Sequence, residues 1–356
     1  MALTDLASKV VKWQQAHGRN NLPWQNSRDP YRVWLSEIML QQTQVTTVLD
    51  YFARFLRRFP DVAALAAAPL DEVLGLWSGL GYYSRARNLH ACAVQVMGLH
   101  RGIFPQTAQL LQTLPGIGRS TAAAIAALCF AERVAILDGN VRRVLSRALG
   151  FGADLSVLAN ERELWNLASQ LLPVRDLSQT MPRYTQGMMD LGATVCSARS
   201  PACDRCPLAD CCVARRLGQV ERFPVKTRKT RRSSQSIWLL WIQSRAGSVW
   251  LDKRPTKGVW GGLYCFPLFD ARESLAAAVP ARYRSALRDA PAFLHVLTHK
   301  DLYLHPVRLQ LPASAKLDTA GTWTAAARWP ELGLPAPVRR LLTDFSSFPT
   351  PDAASA

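Results

Sequence analysis

Residues 111–150 read LQTLPGIGRSTAAAIAALCFAERVAILDGNVRRVLSRALG, and this stretch decides the fold. Its first part, Leu114-Pro115-Gly116-Ile117-Gly118, is a Gly-punctuated turn. Pro115 is excluded from a helix interior, and the two glycines open backbone conformations that other residues resist. Arg119-Ser120-Thr121 and an alanine-rich apolar run follow, a composition that favours helix. The turn therefore opens a helix, and the N–H groups of its first turn form an anion site suited to a phosphate. Further on comes a carboxylate followed by an amide, Asp138-Gly139-Asn140. A Gly-x-Gly pair alone is as often a plain helix–helix turn. The full pattern LPGxGxxTA followed by DGN is much more specific.

The composition agrees with an anionic partner. The chain has 356 residues, a length that suggests two domains. Its net charge is +17, which points to a polyanion, with nucleic acid and a membrane surface both open on charge alone. No apolar run approaches the roughly 20 residues of a bilayer span. The N-terminal MALTDLASKVVKWQQ has helical periodicity and no signal-peptide core, so a cytoplasmic protein is expected.

Upstream of the hairpin the chain reads as helices. Residues 1–20 form an amphipathic one, with Leu6, Val10, Trp13 and His17 expected on one face before Leu22-Pro23-Trp24 breaks it. Residues 33–59 carry Ile38, Val45, Val48, Phe52, Phe55 and Phe59 at spacings of three, four and seven, which predicts one long helix with Ser36 as a cap near its start. Glu37 is either a first-turn acid favouring the helix dipole or a desolvated acid with a raised pKa. Gln41-Gln42-Thr43 would continue that helix as base-edge donors and acceptors or as an exposed face. Two further helical stretches are expected within 61–105, around Trp77-Ser78-Gly79-Leu80-Gly81-Tyr82-Tyr83. That loop presents an apolar or aromatic wedge or packs its aromatics inward. Helices are also expected over Val141 to Leu149, Glu161 to Leu172 and Tyr184 to Val195, with no strand before the cysteines.

Five of the eight cysteines fall between 196 and 212. In a reducing compartment such clustering means a metal site rather than disulfides. The spacing Cys196-x6-Cys203-x2-Cys206-x5-Cys212 leaves zinc and a [4Fe–4S] cluster both open, and Cys211 is an extra thiol. Residues 222–235, with six basic residues and no acid, read as a flexible basic linker. Beyond it, Ile237–Ile242 and Gly247–Leu251 predict a hairpin. Further strands are expected over 293–297, 301–311 and 321–324, with helical pieces near 274–278 and 337–344, giving a separate α+β domain.

SEIMLQQTQV, WSGLGYYSRARNLH, LPGIGRSTA, ILDGNVRRVL, the four-cysteine loop and GVWGGLYCFP together resemble the MutY family of adenine DNA glycosylases. These belong to the helix-hairpin-helix, iron–sulfur superfamily. The resemblance spans essentially the whole chain. It implies an all-α helix-hairpin-helix glycosylase domain over 1–221 (hairpin about 110–130, [4Fe–4S] loop 196–212), the linker 222–235, an α+β Nudix-like lesion-recognition domain over 236–346 and a tail over 347–356. The Nudix catalytic box is missing, since only Arg272-Glu273 stands where its glutamates would be, so pyrophosphate hydrolysis is not expected.

By resemblance, Glu37 protonates the adenine ring and Asp138 stays ionised beside the sugar, the acid and carboxylate division used by glycoside hydrolases. Asn140 and Ser120 orient the sugar, the water or Asp138. Trp24 and Gln186 hold the extruded adenine. Gln42, Thr43, Leu80, Tyr82, Gly116 and Gly118 meet the DNA, Thr298 and His299 probe the 8-oxoguanine, and Cys196, Cys203, Cys206 and Cys212 ligate one [4Fe–4S] cluster. The partner is duplex DNA with adenine opposite 8-oxoguanine or guanine, bound by a monomer away from membranes. The related endonuclease III enzymes carry a Lys where this chain has Ser120, and a hydroxyl forms no imine, so a glycosylase without lyase chemistry is expected. The rival readings are a bifunctional glycosylase/lyase, a non-catalytic DNA-damage-binding protein and a zinc-binding structural protein.

Overall fold

A computed structural model describes residues 5–25, 27–228, 232–315 and 317–345. The tail expected at 347–356 lies outside these, as does part of the basic stretch at 229–231. The chain divides into two compact units, one of residues 1–67 and 88–229, the other of 68–87 and 230–356. No helix among the described residues is long and apolar enough to cross a membrane.

Among the described residues up to 228 all regular structure is helical. The helices are α1 (Leu6–His17), α2 (Pro30–Leu40), α3 (Val45–Arg58), α4 (Val62–Ala67), α5 (Leu70–Trp77), α6 (Ser84–His100), α7 (Ala108–Leu111), α8 (Arg119–Phe130), α9 (Gly139–Leu149), α10 (Leu158–Gln170), α11 (Leu177–Thr194) and α12 (Val213–Arg216). In the first unit α2 and α11 both pack on α8, and α11 also packs on α1 and α9. Leu6, Val10, Trp13 and Gln14 are the buried residues of α1, whereas His17 is exposed, contrary to the expected face.

The single helix expected over 33–59 is two. Gln42 adopts a left-handed φ of 56° and Thr43 N donates to Leu40 O, so the chain turns between α2 and α3. The apolar residues keep their phase across the break, which is why periodicity alone ran through it. Ser36 is not a cap. It is fully buried in mid-helix and donates to Val33 O, while the true cap is Asp29, which accepts from Tyr31 N ahead of Pro30. Residues 61–105 hold three helices rather than two, and α11 begins seven residues before Tyr184, running through Pro182.

In the second unit the strands are β1 (Ser233–Gln243), β2 (Val249–Lys253), β3 (Tyr264–Cys265), β4 (Leu268–Phe269), β5 (Arg288–Asp289), β6 (Phe293–Val296), β7 (Lys300–Gln310) and β8 (Thr322–Thr324), with helices α13 (Arg272–Ala277) and α14 (Ala336–Phe345). β1 and β2 form the expected hairpin, with Gln243 opposite Val249. β1 and β7 pair in parallel over their whole length, Ser233 to Lys300 through Gln243 to Gln310. Alternation puts Ile237, Leu239 and Trp241 on one face with Leu334, Val338 and Leu342, and Leu240 and Ile242 on the other with Leu275 and Val279. The sheet thus has a core on each face. β1 already begins at Ser233, inside the expected linker. Residues 225–227 are tied down as well: Leu155 N donates to Val225 O, and Thr227 donates to the Asp154 carboxylate through its N–H and its hydroxyl.

Segment 68–87 belongs to this second unit through polar ties. Lys253 Nζ donates to Asp71 at 2.6 Å, Tyr83 Oη to Leu334 O at 2.7 Å and Arg87 Nη1 to Gly261 O at 2.7 Å.

Candidate active site

Glu37 lies on the third turn of α2, whose residues are mostly buried against α8. It keeps partial access through a cleft and is otherwise walled in by protein. Burial removes the water that would stabilise its anion, and the charge of Asp138 adds to the effect. The carboxyl is pushed from the usual 4.5 up to about 7.

Asp138 reaches the same cleft from the N-terminus of α9. It is the N-cap, and its Oδ1 accepts from Val141 N at 2.7 Å. Burial raises its pKa above the ordinary carboxylate value. The N–H groups of Val141 and Asn140 and the charges of Arg143 and Arg142 pull the other way. A helix N-terminus also favours an anion. Ser120 Oγ accepts from Leu137 N at 3.2 Å, tying the segment before Asp138 to the first turn of α8. A Cβ on Gly192 would come 2.6 Å from Asn140 Cβ, so this glycine is what lets α9 lie close to α11. Arg143 Nη2 donates to Asn140 Oδ1 at 2.8 Å and to Gly192 O at 2.7 Å, and its Nε donates to Cys196 O at 2.8 Å.

The cleft measures about 790 Å³ and is lined by Trp24, Glu37, Gln42, Thr43, Ser120, Asp138, Asn140 and Gln186 among others. Eight of the expected site residues therefore meet in one place. Trp24 is both core and lining, buried edge-on against Phe52 at 5.3 Å between ring centres. Trp24, Glu37 and Gln186 also line a second cavity of about 520 Å³. Gln42 and Thr43 arrive through the turn between α2 and α3 and not on a helix face.

The hairpin runs from α7 through 114–118 into α8. Gly116 has φ 75°, and a Cβ there would meet Asn88 Cβ at 2.6 Å. Gly118 has an ordinary φ of −81° and nothing within 4 Å of a built Cβ, so nothing within the chain requires glycine there. No side chain caps the start of α8, no acid lies in its first turn, and Arg119 stacks over Trp165 at 4.0 Å. A cation at a helix N-terminus is unfavourable on its own and suits a site that receives an anion.

In the second unit, Tyr82 is exposed in the 78–83 loop, with a left-handed φ of 46°, and its hydroxyl bonds to that of Thr298. Leu80 is 6% exposed and presents no wedge, because it packs inward while its carbonyl accepts from Arg85. Thr298 and His299 are exposed in the turn between β6 and β7.

Cys196, Cys203, Cys206 and Cys212 line one small hollow with Arg147, Pro201, Val220 and neighbours. Cys211 faces away and lines a different pocket beside Lys9 and Asp210. None of the cysteines is in a disulfide. Among the described residues no group of three or more His, Cys, Asp or Glu is arranged for a single metal ion. Four thiols around one hollow fit a cluster held by one thiolate per iron better than one zinc held by all four. Arg147, buried in α9, donates to Ser197 O at 2.6 Å and lies 3.4 Å from Cys196 Sγ. A cationic group there suits a thiolate-ligated cluster.

Arg19, Arg143, Arg147 and Asp190 escaped the sequence reading. The one signal available was a charged residue in an otherwise apolar stretch, as Asp190 is in Gly-Met-Met-Asp-Leu-Gly.

Known families match this architecture. Residues 35–170 match the HhH-GPD superfamily base excision DNA repair protein model, 196–212 the iron-sulfur binding domain of endonuclease III, and 237–344 the NUDIX domain. A thermostable thymine-DNA glycosylase superimposes with a TM-score of 0.54 at 27% identity, covering 60% of this chain and 97% of that one. An endonuclease III–DNA complex gives a TM-score of 0.51 at 22% identity, over 61% of this chain and 98% of that one, a likeness of fold. Fold and cleft together define a DNA-repair glycosylase of the helix-hairpin-helix class, carrying one [4Fe–4S] cluster and a C-terminal Nudix-like domain.

Within that class the chain belongs to the adenine DNA glycosylases. The enzyme of that name from Buchnera aphidicola subsp. Acyrthosiphon pisum (strain APS) is 36% identical over 341 residues, 94% of this chain and 96% of that one. The Mus musculus enzyme is 43% identical over 235 residues, 62% of this chain and 44% of that one. The chain is thus a hydrolase of N-glycosyl bonds that acts on DNA.

Proposed function

We propose that this chain removes adenine from duplex DNA where it stands opposite 8-oxoguanine or guanine, acting as a monomer and hydrolysing the N-glycosidic bond without a lyase step. The observation that carries the reading is the convergence of Glu37 and Asp138 on one cleft. The leaving adenine must take a proton, and the sugar passes through an oxocarbenium-like state. Glu37, at about 7, still holds its proton near neutral pH and donates it to the ring. Asp138, with N–H donors and arginines around it, supplies the negative charge beside the sugar carbon. Ser120 fixes the segment before Asp138, and Asn140, held by Arg143, lies beside it. No amine replaces the Ser120 hydroxyl, so no imine with the sugar forms.

The adenine must leave the stack to reach the cleft. Trp24 and Gln186 receive it, Gln42 and Thr43 line the entrance, and the hairpin at Gly116 and Gly118 grips the phosphates with the first turn of α8. In the second unit, Tyr82 together with Thr298 and His299 of the Nudix-like domain reads the 8-oxoguanine, the joined hydroxyls of Tyr82 and Thr298 forming its polar edge. The cluster shapes the loop through which Cys196 O meets Arg143 and has no part in the hydrolysis.

The test is incubation with a duplex carrying adenine opposite 8-oxoguanine, followed by alkali. Strand cleavage only after alkali, with no borohydride-trapped adduct, is expected. A trapped adduct would favour the bifunctional reading, and an intact strand with the duplex bound would favour the damage-binding one.

A further inference from the structure

One buried carboxylate is left over once the two in the cleft have been given work. Asp190 lies on α11, one turn beyond Gln186, and has no solvent exposure. It lines neither cavity, whereas Gln186 lines both. Its Oδ1 accepts from Gln186 Nε2 at 2.9 Å and from Arg19 Nε and Nη2, each at 2.7 Å. Its Oδ2 accepts from the backbone N–H of Arg19 at 3.0 Å.

Four N–H groups are directed at the two Asp190 oxygens, so this carboxylate meets its neighbours as an acceptor only. Gln186 must therefore meet it with its NH2 group. One N–H is spent on Asp190, and the planar amide then carries its carbonyl oxygen, an acceptor, away from that carboxylate. On adenine the ring nitrogens N1, N3 and N7 are acceptors too, and the exocyclic 6-amino group is the donor. A 6-oxo purine puts an acceptor at that position, where two oxygens would face each other without a proton between them.

Resting on the adenine reading of the cleft, we propose that Asp190, anchored by Arg19, fixes the Gln186 amide with its carbonyl towards the base and so sets the preference for 6-amino over 6-oxo purines. Asp190 touches no substrate; it is a positioning residue. Arg19 joins the segment after α1 to α11 and lines the cleft itself. The clamp therefore connects two walls that are distant in sequence.

The test compares single-turnover release of adenine and of hypoxanthine, each opposite 8-oxoguanine, for the wild type, D190N and the double variant D190N/Q186E. The amide introduced by D190N can offer Gln186 an NH2 of its own, which frees Gln186 to turn its NH2 to the cleft. The adenine-to-hypoxanthine rate ratio should fall by about tenfold or more. In the double variant the carboxylate introduced by Q186E is again acceptor-only and the total charge is that of the wild type, so the ratio should return to within about threefold. A ratio unchanged in D190N, both rates falling in proportion, or no recovery in the double variant would overturn the proposal. Should D190N not fold, the double variant is set directly against the wild type, and a lost preference overturns it. A wild type that releases no adenine sinks the functional reading itself, a different result from an active enzyme with an indifferent Asp190.

Discussion

Glu37 sits within an 11-residue helix, Asp138 caps the start of another of 11 residues, and both face the same cleft. One stands mid-helix, where the backbone N–H groups around it are already bonded. The other stands at an N-terminus, where N–H groups are still to be satisfied. Burial pushes both upward, but only Asp138 has donors and arginines opposing the push. Backbone position, more than side-chain chemistry, thus separates the two carboxyls, which is the division the proposed acid and anion roles need. The same lesson holds for two other pairs. Cys212 faces the cluster hollow while Cys211 faces away from it. Gly116 needs its left-handed φ while Gly118 has an ordinary one.

Breaking the first pair should have the largest effect. E37Q and D138N keep volume and remove an acid or an anion, so single-turnover adenine release should fall by about 10²–10⁴-fold in each, with duplex binding retained. Loss of binding in parallel, by gel shift, would show that the two had been given the wrong role.

The pH profile sharpens the contrast. Glu37 must carry its proton, so release should decline as pH rises through about 7. Asp138 must be charged, so release should also decline at low pH, making a bell. Stability follows the Glu37 proton as well. Between the usual carboxylate range and about 7 the fold holds a proton that the unfolded chain has released, so raising pH through that window favours unfolding. E37Q should flatten that slope in denaturant titrations; an equal slope would mean that Glu37 is not desolvated.

Next come the cysteines. C212S should lose the visible thiolate-to-iron absorbance and with it the folded loop, whereas C211S should keep both. The reverse would exchange their assignments. The glycines give the smallest effect. G116A meets both a left-handed φ and Asn88, and should cost about 1–2 kcal/mol of stability by thermal melt. G118A should leave stability unchanged and weaken duplex affinity, because only an approaching phosphate would feel the added methyl.

Local chemistry alone made much of this chain legible. A Pro and two glycines force a turn, four thiols at short spacing demand a common ligand, and short apolar runs mark β1 and β2. Motif residues such as Glu37 and Asp138 were marked by resemblance, but nothing local required them to meet. That needed α2 and α8 to pack and Ser120 to hold the segment before Asp138. The turn at Gln42 was hidden because hydrophobic phase continues across it. The parallel union of β1 with β7, the inward Leu80 and the Arg19–Asp190–Gln186 clamp were equally silent. Sequence determines what each residue is able to do within a turn or two of itself. Desolvation, donor supply and the direction an amide faces depend on residues far away along the chain, and only the packed chain sets those.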